Sequence, residues 1–284
     1  SINGNMRDFP IEAVTETLAH RGPDGCGYYA DDHIALGHRR LSIIDVEGGA
    51  QPIFNEDGSK CIVFNGEIFN FHGLRRDLIQ KCHVFSTRSD TETILHAYEE
   101  YGESCVDLFR GMFVFAIWDS KARKLFIARD RLGIKPLFYA EYEGRFYFAS
   151  EMEAILSENN FPRNIDENAL AAYFNYSYIP APWTIYSNIR KLLPGHTPAQ
   201  HTCGEQPRKP LHRAQPEPSG RGAAAHEDSR GSCLEVVVSP CLLRQADVAV
   251  ATHDYPSVDR FASFGELRHS ATSSCFQAYP RIGG

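Results

Sequence analysis

The chain has 284 residues, 43% of them hydrophobic and 12% aromatic, which is enough to bury one large core or two ordinary ones. Its net charge of −7 argues against a nucleic-acid backbone or an anionic membrane as partner, so small molecules are the expected ligands. No apolar run reaches the roughly 18 residues of a membrane span, and the opening SINGNMRDFP lacks a leader's basic and apolar regions, so a cytoplasmic location is expected.

In chain order, PIEAVTETLAH (10–20) sets Ile11, Val14 and Leu18 at helical spacing behind a proline suited to a first turn, and RGPDG (21–25) stops that helix. IALGHRRLSIIDV (34–46) reads as two strands around an arginine pair, closed by the turn residues of EGGAQP. CIVF (61–64) is a strand that ends at Asn65-Gly66, the residue pair of a type I′ hairpin turn. A helix through LRRDLIQKC (74–82) and a strand at HVFST (83–87) follow. The next helix starts at Asp90, capped by Ser89 or Asp90, with Ile94, Leu95 and Tyr98 on one face. MFVFAIWD, KLFIARD, PLFYAEY and RFYFAS, between 112 and 150, read as a four-stranded meander. Helices return at EMEAIL (151–156) and, capped by Asp166, at ENALAAYF (167–174). Helices bracketing a strand-rich centre predict a layered α+β sandwich.

Beyond His196 prolines, glycines and charges follow one another without period, and the apolar run from Cys233 has nothing after it to complete a domain. Residues 198–284 are therefore expected to form a disordered or aberrant tail, with the folded domain at 1–197. PSGRGAAAHEDS in that tail has the glycines of a phosphate loop but no strand before it or helix after it, and is read as a chance match. The eight cysteines, at 26, 61, 82, 105, 203, 233, 241 and 275, form no C-x-x-C pair and have no histidine at zinc-like spacing, and the twelve histidines are scattered. Reduced thiols and no metal are expected.

Four motifs carry polar groups at element ends: RGPDG, RRLSIID (39–45), NGE (65–67) with SDTE (89–92), and RDRLGIKPLFY (129–139). Singly, each has a plain reading as a turn, a surface cation, a hairpin or a helix cap. Jointly they suit the zwitterionic head of an amino acid, because an arginine fork can hold a carboxylate through two hydrogen bonds and two acids can hold an ammonium. Arg40, Glu67 and Asp90 are the candidates. Asn65 and the N–H of Gly66 remain to face a carbonyl oxygen that becomes an oxyanion, as acyl transfer requires.

RGPDG, RLSIID, FNGEIFN, SDTE, FAIWD, RDRLGIKPLFY and YIPAPWTIYSNIRKLLPGH together resemble the glutaminase half of glutamine-hydrolysing asparagine synthetases, class II amidotransferases, over about residues 1–197. The resemblance implies a four-layer αββα sandwich of the N-terminal-nucleophile hydrolase type. It implies glutamine held by Arg40, Leu41, Ser42, Ile43, Ile44, Asn65, Gly66, Glu67 and Asp90, with Asn65 and Gly66 as the oxyanion hole. It also implies a homodimer, with ATP and magnesium serving only the family's synthetase domain. The family opens Met-Cys-Gly-Ile, and its terminal cysteine is the nucleophile. This chain opens SINGNM, so the first strand with that cysteine is expected to be lost and the chain to be inactive as given, with Ser1 and Cys26 as lesser candidates. The synthetase domain's Ser-Gly-Gly-x-Asp-Ser loop is not found in the sequence. A non-catalytic amino-acid-binding module is the alternative.

Overall fold

The computed structural model describes residues 6–41 and 48–197 and the backbone of 233–240, all within a unit that ends at Leu243. Its elements are α1 (Ile11–Glu16), β1 (Gly25–Ala30), β2 (Ala35–Arg40), β3 (Ile53–Phe54), β4 (Lys60–Ile68), α2 (Phe71–Gln80) and α3 (Asp90–Tyr101). Then come β5 (Gly111–Asp119), β6 (Lys124–Arg129), β7 (Phe138–Tyr142), β8 (Arg145–Ala149), α4 (Met152–Leu156), α5 (Glu167–Tyr176), β9 (Ile189–Lys191) and β10 (Cys233–Pro240). The strands form two antiparallel sheets, ordered β1-β2-β10-β8-β7-β9 and β3-β4-β5-β6.

Three apolar layers show how these parts stack. Ile11, Val14 and Leu18, around α1, and Ala154 and Ile155 of α4 pack with Ala35, Tyr147 and Ala149 on one face of the larger sheet. Leu78 of α2 and Ile94 and Leu95 of α3 pack with Ile62, Phe64, Phe113 and Phe115 on the smaller sheet. Between the sheets lie Ile34, Leu36, Cys61, Val63, Val114, Ala116, Phe146 and Phe148. Period-two alternation lets one strand feed both of its faces: on β4, Cys61 and Val63 enter the middle layer while Ile62 and Phe64 meet the helices. Each fully buried aliphatic or aromatic side chain contributes roughly 1.5–3 kcal/mol. The order is helix, sheet, sheet, helix, the four layers expected.

Three local expectations are corrected. The NGE stretch is not a hairpin turn: β4 runs straight through it, with Asn65 opposite Val114, Gly66 opposite Phe113 and Glu67 opposite Met112. The pairing of β4 with β5 over its whole length supplies the partner that a turn would have provided. HVFST is a loop, because the N–H groups of Ser86 and Thr87 both donate to the Glu92 carboxylate at 2.7 Å and need no neighbouring strand. The meander is split, with β5 and β6 in the smaller sheet and β7 and β8 in the larger.

The crossing between the sheets is built by the first residues of RDRLGIKPLFY. Buried Asp130 accepts from the N–H groups of Leu132 and Ile134 at 3.0 Å each, of Lys135 at 3.1 Å and of Phe113 at 3.3 Å. Arg129 donates to the carbonyls of Lys135 and Gly133 at 2.6 Å each, and to that of Leu192. Within the stretch beyond residue 197, Cys233–Pro240 is a strand inside the larger sheet, between β2 and β8. The rest of 198–284 lies outside the described residues.

Candidate functional site

The middle layer is apolar along most of its length and turns polar at one end. On β2, Leu36 faces inward, while Gly37 abuts Thr15 and Arg39 reaches Glu16 at 3.3 Å on the helix side. Alternation therefore turns His38 and Arg40 inward. On β4 the inward row Cys61, Val63 continues as Asn65 and Glu67. The two rows are tied where His38 Nε2 donates to the Phe64 carbonyl at 3.3 Å. The folded sequence thus brings Arg40 to the same end of the layer as NGE.

The outer edge of β4 supplies the second half of the geometry. Beyond the short β3, the N–H of Phe64 goes to Gln51 Oε1 at 2.7 Å and that of Ile68 to Asp90 Oδ2 at 3.0 Å. Gly66 lies between them at the same parity, so its N–H points to that edge. Gly66 has φ +150°, and a Cβ there would collide with the Met112 carbonyl and the Phe113 Cα. Only glycine lets β5 come this close. Next to it, Asn65 is 0% exposed, and neither its amide nitrogen nor its amide oxygen has a hydrogen-bond partner. Buried amides are nearly always paired, and leaving one unpaired costs about 1–3 kcal/mol. Two adjacent donors are therefore held ready at one place.

Asp90 stands at the start of α3, where Ser89 Oγ caps the helix by accepting from the Thr91 N–H at 3.0 Å. Burial pushes the Asp90 carboxyl up to about 6, against hydrogen bonds from backbone N–H groups including that of Ile68, and the charge of Glu67 pushes the same way. Two acids close enough to repel each other form a favourable seat for a cation.

The other anticipated residues sort as follows. Leu41 follows β2 and is half-buried, whereas Ser42, Ile43 and Ile44 lie outside the described residues. RGPDG positions Arg40: Gly22 packs on the backbone of Arg39 and Arg40, and the Asp24 N–H donates to the Arg40 carbonyl at 2.9 Å. Ser1 is outside the described residues. Cys26 is exposed on β1, opposite Arg39. Cys61 shares the inward row of Asn65, but burial pushes its thiol up to about 12, and a thiol is a poor nucleophile.

Two residues of the site were not anticipated. His38 is wholly buried, burial pulls its imidazole down to about 3, and with Nε2 committed to Phe64 its Nδ1 is a lone pair without a hydrogen-bond partner. The alternation Leu36, His38, Arg40 was the signal that could have found it. Gln51 ties the Phe64 N–H to the Thr91 hydroxyl, at 3.4 Å from its Nε2, and nothing in EGGAQP announces that role.

Comparison with known proteins shows the family. Asparagine synthetase [glutamine-hydrolyzing] 1 of Bacillus subtilis is 43% identical over 185 residues, 65% of this chain and 29% of that protein. Asparagine synthetase [glutamine-hydrolyzing] 3 of the same organism is 40% identical over 66% of this chain and 31% of its own length. The chain thus spans under a third of these relatives. Among solved structures, the glutamine phosphoribosylpyrophosphate amidotransferase of B. subtilis matches with a TM-score of 0.42 at 22% identity, covering 50% of this chain and 39% of that one. The glutamine amidotransferase domain family matches residues 2–209. With nearly three-quarters of its length inside that match, the chain belongs to the glutamine amidotransferase domain family.

Proposed function

We propose that the polar end of the middle layer binds glutamine and stabilises the oxyanion formed when its side-chain amide is attacked. Arg40 takes the α-carboxylate, Glu67 and Asp90 take the α-ammonium, and the segment Leu41, Ser42, Ile43, Ile44 lines the approach. Asn65 Nδ2 and the Gly66 N–H face the amide oxygen. The observation that carries this reading is the buried side-chain amide of Asn65, which has no hydrogen-bond partner among the described residues. Glutamine supplies the missing partner and recovers the cost of the unpaired state. The attacking group is not assigned to any described residue.

The likeness to asparagine synthetases supports a use for the ammonia released, in the amidation of aspartate by a synthetase domain that consumes ATP with magnesium. The four described cysteines are all free, which supports a reducing, cytoplasmic setting.

The test is glutamine titration by calorimetry, for the chain and for Asn65→Ala, together with ammonia release by both forms once the family's cysteine-bearing opening strand is placed before Ser1. Hydrolysis is expected to fall about 100- to 1000-fold in the variant, the usual effect of removing one oxyanion donor. Folding stability should change little, since the substitution also removes a buried unpaired group. Equal glutamine affinity and equal hydrolysis in the two forms would remove Asn65 from the site. Binding that depends on Asn65 with no ammonia release would select the second reading, a glutamine-binding module without hydrolysis.

A further inference from the structure

A second polar cluster lies between α3 and the loop that follows α2. His96 and Glu99 stand three residues apart on α3 and so share a face. His83, from the loop, packs against His96 with ring centroids 5.1 Å apart and the rings tilted by 50°. His96 Nδ1 is 2.8 Å and His83 Nδ1 3.9 Å from the same oxygen, Glu99 Oε2. One ligand atom from each residue lies within 4.8 Å of the other two. Ligands around a tetrahedral ion with bonds of roughly 2.0–2.1 Å are ~3.4 Å apart, and the two measured separations bracket that figure.

The surroundings of the three residues fit a metal as well as the residues do. Asn55 Nδ2 holds the other Glu99 oxygen at 2.7 Å, which keeps Oε2 turned towards the imidazoles. Each histidine has a second carboxylate at its far nitrogen: His96 Nε2 is 3.8 Å from Glu92 and His83 Nε2 is 3.4 Å from Glu100. Carboxylates in that position set the tautomer and raise the basicity of metal-bound histidines. Glu92 is in turn fixed by the N–H groups of Ser86 and Thr87. His96 is 1% exposed and its Nε2 has no hydrogen-bond partner.

We propose that His83, His96 and Glu99 form a site for a divalent transition metal of the zinc class, with water as the fourth ligand. Two imidazoles and one carboxylate suit zinc better than magnesium or calcium, which take oxygen ligands. The ion joins the 83–87 loop to α3, the helix that begins at Asp90. Glu56, Glu100, Lys60 and Lys81 are the other charges around the cluster.

The experiment titrates the whole chain, freed of metal with a chelator, with zinc and separately with cobalt at pH 7.5, alongside His83→Ala and Glu99→Gln. Circular dichroism checks that both variants fold. The original chain is expected to bind one ion that both variants bind at least about tenfold more weakly. Cobalt at this site should lack the near-ultraviolet charge-transfer band of thiolate ligation, which separates it from binding by cysteines. Undiminished affinity in folded His83→Ala or folded Glu99→Gln would overturn the proposal.

Discussion

Charge placement at single residues decides how the pocket responds to pH and to substitution. In the folded state Asp90 holds its proton up to about pH 6, against an ordinary carboxyl near 3.8. Because the folded chain binds the proton more tightly, Asp90 adds stability that is complete below its ordinary value and is lost as pH rises through 6. Ligand binding runs the other way, since an ammonium needs the carboxylate. Glutamine affinity is therefore expected to fall as pH drops below 6, by up to roughly tenfold per pH unit, and Asp90→Asn should flatten that dependence. Calorimetry between pH 5 and 8 checks both, and an unchanged slope in the variant would exclude Asp90 as the group. Arg40 calls for geometry beyond its charge. Arg40→Lys keeps the cation but loses the two-pronged fork, and should weaken glutamine binding by about 1.5–3 kcal/mol. Equal affinity would make Arg40 a bystander.

At the scale of elements, the most informative one is β4, whose Asn65-Gly66 pair reads as a turn and is built as a strand. Local preference favours the turn, but nine residues of pairing with β5 outweigh it. The glycine is needed because the neighbouring strand's backbone occupies the space of a side chain, a demand that no local pattern reveals. Gly66→Ala is expected to destabilise the domain by about 1–3 kcal/mol through backbone strain and overpacking, read as a lower urea midpoint. It should also displace the N–H offered to the substrate, so activity should fall further than stability accounts for. Helix starts were more legible. Ser89 and Asp166 both cap as anticipated, Asp166 Oδ1 accepting from the N–H groups of Asn168 and Ala169 at 3.0 and 3.1 Å, because a cap is a contact within three residues. HVFST misled because its β-branched and aromatic residues suit a strand, while its backbone bonds go to a helix side chain.

For the molecule as a whole, β10 determines whether the larger sheet is continuous. Without it, β1 and β2 have no strand partner on the β8 side, and two long edges lie open. Ending the chain after residue 197 is therefore expected to lower the melting midpoint by more than about 4 °C, the shift that corresponds to losing 1–2 kcal/mol in a domain of this size. An unchanged midpoint would show that the segment contributes nothing to the fold. No helix among the described residues is long and apolar enough to cross a membrane.

The sequence by itself determined the layer composition, the helices and most strands of the first 197 residues, and the residue types of the pocket. These are set by periodicity, by capping and by motif order, all of which act over a few neighbouring positions. Only the tertiary structure decided that His38 of β2 meets the Phe64 carbonyl of β4, that Gln51 and Asp90 take the N–H groups of Phe64 and Ile68 on either side of Gly66, and that a strand from beyond residue 230 enters the sheet. The reason is physical. Which strand lies beside which, and which buried amide is left without a partner, depends on contacts between residues tens to hundreds of positions apart, and no local pattern records those.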